Sequence, residues 1–143
     1  MDHQEDDLID GVLTFEAETA GVHVAVQSYY LNEQSEPEDG QFVWAYRIKI
    51  TNNGAVPVKL LNRHWIITDG IGGVHEVQGE GVVGEQPLIE PGHHFIYTSG
   101  TPLGTSSGFM RGSYEMRRAD GGTFDVEIPA FSLDSPHTSL HIN

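Results

Sequence analysis

The stretch Phe42-Val43-Trp44-Ala45-Tyr46-Arg47-Ile48-Lys49-Ile50-Thr51 places a large apolar residue at every second position. Side chains alternate across a strand with period two, so Phe42, Trp44, Tyr46, Ile48 and Ile50 share one face. Arg47, Lys49 and Thr51 take the other. Asn52-Asn53-Gly54 comes next, and these residue types tolerate the left-handed backbone of a tight turn. The segment reads as a half-buried strand with its stop signal.

The same pattern recurs on both sides. Val22, Val24 and Val26 oppose His23, Ala25 and Gln27, and Glu33 to Gly40 is an acidic turn. Val58 to Asp69 is a strand in which Leu60-Leu61 breaks the parity, which predicts a β-bulge. Asp69-Gly70 through Gly72-Gly73 turns into Val74–Val77, and Pro87 and Pro91-Gly92 punctuate the stretch after it. His93 to Ser99 reads as a strand and Gly100 to Gly108 as a loop. Met110, Gly112, Tyr114 and Met116 alternate with Arg111, Ser113, Glu115 and Arg117. Asp120-Gly121-Gly122 turns into Phe124, Val126 and Ile128, with an end near Leu133. No window has a period of 3.6, and 17 glycines and 7 prolines leave little room for a long helix. About seven antiparallel strands predict an all-β sandwich of the immunoglobulin or fibronectin III type, with a closed barrel as the alternative. Trp44, Tyr46, Trp65, Phe109, Tyr114 and Phe124 are its expected core, and Tyr29, Tyr30 and Phe131 are read as packing rather than as an exposed patch.

One domain accounts for 143 residues. The absence of cysteine excludes disulfides, thiolate zinc sites and cysteine nucleophiles. It also fits a reducing cytoplasm, and a soluble cytoplasmic protein is expected, with no membrane association. Half of the net charge of −14 comes from Asp2, Glu5, Asp6, Asp7, Asp10, Glu16 and Glu18. Residues 1–19 therefore read as an acidic disordered arm, 20–135 as the sandwich domain and 136–143 as a flexible tail. A chain this acidic repels polyanions, so general nucleic-acid binding is not expected.

Three patterns carry possible chemistry. Gly79-Glu80-Gly81-Val82-Val83-Gly84 is a literal G-x-G-x-x-G. In a dinucleotide fold such glycines cradle a pyrophosphate at a helix N-terminus. Here Glu85-Gln86-Pro87 stands in place of a helix, and the bland reading is a glycine-rich bulge and loop. His64, His75, His93 and His94 lie in strand-like segments without metal-ligand spacing. His137 and His141 stand four apart in a tail with no stable helix. Ser99 and Ser106-Ser107 lack the nucleophile-elbow pattern. No catalytic residue, metal site or cofactor is expected.

Several ordered segments resemble the ApaG family. They are Leu61-Asn62-Arg63-His64-Trp65-Ile66-Ile67-Thr68-Asp69, the run from Glu76 to Pro87, Tyr97-Thr98-Ser99-Gly100-Thr101-Pro102-Leu103-Gly104, Gly108 to Met116, and Phe124 to Phe131. The resemblance runs from about Val22 to Leu133. It implies a fibronectin III-like sandwich of the stand-alone bacterial ApaG type, a type linked in places to cobalt and magnesium resistance. It also implies kinship with modules appended to eukaryotic F-box proteins and to a polymerase-delta-interacting protein. The family's G-x-G-x-x-G has prompted the idea of pyrophosphate or nucleotide binding, and Gly79, Gly81 and Gly84 match it.

The leading expectation is a non-enzymatic module that binds another protein, a second copy included. It would use the glycine-rich loop, the Gly100–Gly108 loop or a free sheet edge. The alternative is a binder of small phosphate compounds or nucleotides, with Gly79, Gly81 and Gly84 supplying N–H groups and Arg63 and Arg111 the charge. A third is a role tied to divalent cations.

Overall fold

The computed structural model describes residues 7–137. Its strands are β1 (Phe15–Thr19), β2 (Val22–Tyr30), β3 (Phe42–Asn52), β4 (Val58–Asp69), β5 (Val74–Glu80), β6 (Leu88–Ile89), β7 (His94–Leu103), β8 (Gly108–Arg118) and β9 (Thr123–Leu133). Two antiparallel sheets form a sandwich. One has the order β1-β2-β3-β7; the other runs β5-β4-β8-β9, with β6 extending it beside β4. Two single 3-10 turns, Asn32–Gln34 and Pro37–Asp39, lie between β2 and β3.

β3 behaves as its sequence dictates. Its residues alternate strictly between buried and half-buried along all eleven positions, which is the signature of one face packed on a core. Trp44 is fully buried and donates its indole N–H to Asp134 O at 2.8 Å. Tyr46, Trp65 and Phe131 meet with ring centroids 5.4–5.9 Å apart, joining the two sheets through the centre. Phe131 is core, as its packing reading expected.

The predicted bulge is present. Leu60 pairs with Met116 and Asn62 with Glu115, leaving Leu61 as the extra residue on β4. A second register shift falls in β9, where Met110 pairs Phe131 but Gly112 pairs Ile128. Pro129 sits in that irregularity, where a missing N–H costs no ladder bond.

Several boundaries differ from expectation. Nine strands are described, because β1 and the two-residue β6 were hidden. β1 lies inside the stretch read as a disordered arm. Phe15, Ala17 and Thr19 are half-buried while Glu16 and Glu18 face solvent, so the acids occupy only the outer face of a short alternation. Ala20 (φ +50°) and Gly21 (φ +86°) form the turn into β2, so the ordered chain starts before residue 20. Residues 7–14 also pack. Ile9 and Gln27 exchange hydrogen bonds, and Asp7 reaches Lys49 Nζ at 3.0 Å and accepts from Arg47 through its carbonyl. Asp7 thus answers the polar face of β3. Residues 1–6 and 138–143, including His141, lie outside the described residues.

The tail begins later than 136, because the His137 ring packs 5.8 Å from Tyr30 and 6.0 Å from Phe42. The segment Gly100–Gly108 is mostly strand: Gly100 pairs Ala45 and Leu103 pairs Phe42, so only residues 104–107 connect β7 to β8. Phe109 is 43% exposed rather than core. It stands one residue out of phase with Met110, Tyr114 and Met116, which take the inner face.

The two long flanks of the sandwich are built differently. On one, β1 and β2 lie against β9, sealed by Thr19 Oγ1 accepting from Glu127 N and Ser28 Oγ donating to Ser132 O. On the other, β7 and β5 are edges with no further strand partner among the described residues, and the G-x-G-x-x-G segment lies there.

Candidate functional site at the open flank

The open flank originates in the bulge. Leu60 faces the core, and simple alternation would send Arg63 outward. The extra residue at Leu61 resets the phase, so Arg63 joins the inward row of Trp65 and Ile67. Its guanidinium lies over Gly79, where a Cβ would stand 2.9 Å from the guanidinium carbon and nitrogens. Arg63 Nη1 donates to the carbonyls of Glu80 and Gly81, both at 2.9 Å. No carboxylate forms an ion pair with it among the described residues.

Beyond β5 the chain closes a two-residue turn. Val82 and Glu85 exchange N–H···O bonds of 2.8 and 2.9 Å, around Val83 (φ +43°) and Gly84 (φ +82°). Positive φ at both central positions marks the primed type I hairpin turn. For a β-branched residue such as Val83 this backbone is a genuine strain. Gly81 is needed for a separate reason: at φ +62° a Cβ would collide with Glu85 O. Close approach thus accounts for Gly79 and Gly81, and backbone conformation for Gly84.

The turn spends much of its backbone on itself. Gly81 N–H donates to Leu61 O, and those of Val82 and Glu85 bond each other's carbonyls. Arg63 is therefore the cation that the structure brings to the glycines, and it approaches from beneath. Arg111 is elsewhere. It is exposed and pairs Ile66, three positions along β4 from Arg63, about 10 Å at strand rise. It lines neither of the two hollows that Arg63 lines.

Those hollows lie on opposite faces. Under the turn is a cavity of about 220 Å³, walled by Tyr46, Trp65, Tyr97 and Ser99, with Arg63 at its side and Val82–Gly84 as its cover. Burial makes the Tyr46 hydroxyl a weaker acid than usual, partly offset by the neighbouring Ser99 hydroxyl and the charge of Arg63. Tyr97 and Tyr114 share a 2.6 Å hydroxyl contact across the sandwich, and burial raises both well above the ordinary tyrosine range. These phenols stay protonated at any physiological pH. On the outer face of β4, β5 and β8 is a wider groove of about 530 Å³ containing Asn62, His64, Glu80, Glu115 and Asp125. Asn62 donates to Glu115 at 2.7 Å, and His64 Nε2 lies 3.0 Å from Glu76. That pairing gives His64 a cross-strand partner. No three His, Asp or Glu side chains gather to hold a metal ion among the described residues.

Sequence reasoning reached Arg63 and the glycines but missed Tyr46, Tyr97 and Ser99 as their companions. The available signal was parity: after a bulge at Leu61, Arg63 falls in phase with Trp65.

A family model described as the ApaG domain matches residues 32–118. The chain is similar to Protein ApaG of Paramagnetospirillum magneticum, with 58% identity over 125 residues, 87% of this chain and 96% of the relative. It is 56% identical over 129 residues to Protein ApaG of Maricaulis maris, covering 90% of this chain and 99% of that one. Among solved structures, the putative ApaA protein from Bordetella pertussis superposes with a TM-score of 0.78 and 46% identity, covering 87% of this chain and 98% of that chain. No described helix is long and apolar enough to cross a membrane.

Proposed function

The chain belongs to the ApaG family, and from that premise we propose that it is a non-enzymatic, cytoplasmic binding module whose partner is another protein. The observation that carries this reading is the free edge of β5. Six of its seven residues are exposed, and β4 is its only strand partner among the described residues. Its sequence, Val-His-Glu-Val-Gln-Gly-Glu, contains no lysine or proline, the residues with which proteins commonly blunt an edge. Ile71, Val74 and Val77 add exposed apolar surface at 86%, 57% and 40%. An extended segment of a partner can add to such an edge, main-chain bonds giving affinity and alternate side chains giving selectivity.

The register supplies the test. Asp69 N–H bonds Gly73 O and Gly81 N–H bonds Leu61 O. Alternation between those points turns the N–H groups of Glu76 and Gln78 away from β4. Gln78→Pro therefore blocks the edge without removing a β4 bond. Affinity capture from native lysate is expected to enrich one partner, or a second copy, with the parent chain and to lose it with Gln78→Pro. Equal capture by both proteins, or repeated failure to capture anything, contradicts the reading.

A further inference from the structure

We propose that the cavity beneath the Val82–Glu85 turn binds a small oxyanion, a carboxylate or phosphoryl group, held by Arg63 and the phenols of Tyr46 and Tyr97. This goes beyond the protein-binding reading and uses the cavity of the open flank rather than its strand edge.

The first argument is an unanswered charge. The chain carries 21 acids against seven Lys and Arg, yet half-buried Arg63 has no carboxylate partner among the described residues. Its Nη1 is occupied by the Glu80 and Gly81 carbonyls. Among the described residues no acceptor bonds Nη2 or Nε. A guanidinium fixed on one side, with its other donors beside a cavity, is oriented for an oxyanion, which accepts in its fork geometry.

The second argument is a count of hydroxyl protons. Tyr114 is completely buried, and its oxygen has one partner, Tyr97. Two hydroxyls sharing one hydrogen bond leave one proton without an acceptor. If Tyr114 donates to Tyr97, the surplus proton is that of Tyr97, at the cavity wall. An oxyanion there completes a chain Tyr114 to Tyr97 to ligand, in which each bond strengthens the next. Tyr46 stands on the same wall beside Ser99, and its hydroxyl carries a proton to give. Arg63, Tyr46 and Tyr97 thus all present donors to the space, and a cation is disfavoured.

Size restricts the class. About 220 Å³ lies below the range of pockets that enclose drug-sized ligands, so the site takes a head group. A neighbouring hollow of about 330 Å³ shares Val83 and Tyr97 and contains Arg47 and Phe95, giving room for whatever the head group is attached to. Strained Val83 lies at the junction of the two, and such strain concentrates at ligand clamps.

Inorganic phosphate and, separately, acetate should be titrated into the full chain at neutral pH and constant ionic strength, balanced with chloride. The readouts are the Arg63 Nε–H resonance, the Val83 and Ser99 amides, and fluorescence of Trp65. Saturation by phosphate alone identifies a phosphoryl site, by acetate alone a carboxylate site, and by both a general oxyanion site. Tyr46→Phe should weaken binding by about tenfold, the effect of one hydrogen bond to a charged group. Arg63→Gln should abolish saturation, and Arg111→Ala should leave it unchanged. Because Arg63 also anchors the turn, Tyr46→Phe is the deciding variant. Absence of saturation with either anion at tens of millimolar overturns the proposal, since that limit already represents only about −2 to −3 kcal/mol of binding. So does unaltered affinity in Tyr46→Phe, or a response confined to Arg111 and Arg117. Gln78→Pro touches none of these groups, so the edge reading and the anion site fail independently.

Discussion

The two flanks of this sandwich face the same problem, an opening between sheets, and close it by different means. The β1/β2–β9 flank is filled by side chains and cross-sheet hydrogen bonds, including Phe15 against Phe131 at 6.4 Å. The β5/β7 flank is covered by a strained turn, tied down by Arg63, by the Gly81–Leu61 bond and by buried Val82, over a hollow that side chains leave unfilled. Close packing gives the first side its rigidity. The second keeps a polar cavity, unpaired donors and a free strand edge. Binding surfaces belong on a part of the structure that opens at low free energy, and stability belongs on the other.

Substitution on either side presses this contrast. Trp44→Ala, in the packed centre behind the closed flank, deletes a fully buried indole and its bond to Asp134 O. It should cost about 3–5 kcal/mol in a denaturant melt. A loss below ~1 kcal/mol would mean the centre is looser than its burial indicates.

An intermediate effect comes from the tyrosines linking the centre to the cavity. Tyr97 and Tyr114 are both raised above the unfolded tyrosine value near 10. Above that pH the unfolded chain releases these protons while the folded chain keeps them, so the unfolded state binds fewer protons and stability falls as pH rises. The contribution is whole below about pH 10 and declines above it by up to about 1.4 kcal/mol per pH unit for each tyrosine. Unfolding curves from pH 9 to 11 should show the fall, and Tyr97→Phe should reduce its slope. A slope unchanged by that substitution would show that Tyr97 is not held protonated.

The smallest effect is expected at the cover. Val83→Gly relieves a β-branched residue at φ +43° but adds backbone freedom to the unfolded chain. The net should be a gain of about 1 kcal/mol or less, read as a small rise in melting temperature. A clear loss would mean that Val83 is held by packing and not under strain.

Much of the fold was legible in the sequence because β3 and β4 are long, strongly alternating strands, and even the bulge showed as the Leu60-Leu61 parity break. β1 was not legible, since five residues of alternation were outweighed by the charge around them. β6 is too short to give a period at all. Phe109 has the aromatic character of a core residue, but its phase relative to Met110 turns it outward. The glycines and Arg63 could be picked out by type, but their arrangement could not. Whether Arg63 points in or out depends on one extra residue at Leu61, and Tyr46 and Ser99 become neighbours only through the β3–β7 register. Charge alone groups Arg111 with Arg63, and strand position separates the two.

The contrast between flanks is tested most directly by native-state amide hydrogen exchange. The amides of Val82 and Glu85, bonded only to each other's carbonyls, should exchange through a local opening several kcal/mol below the global unfolding free energy. Ladder amides of β2 and β9 should exchange only at the global value. Protection of the turn to that same limit would contradict the account, because the flank assigned to binding would then be as rigid as the flank assigned to stability.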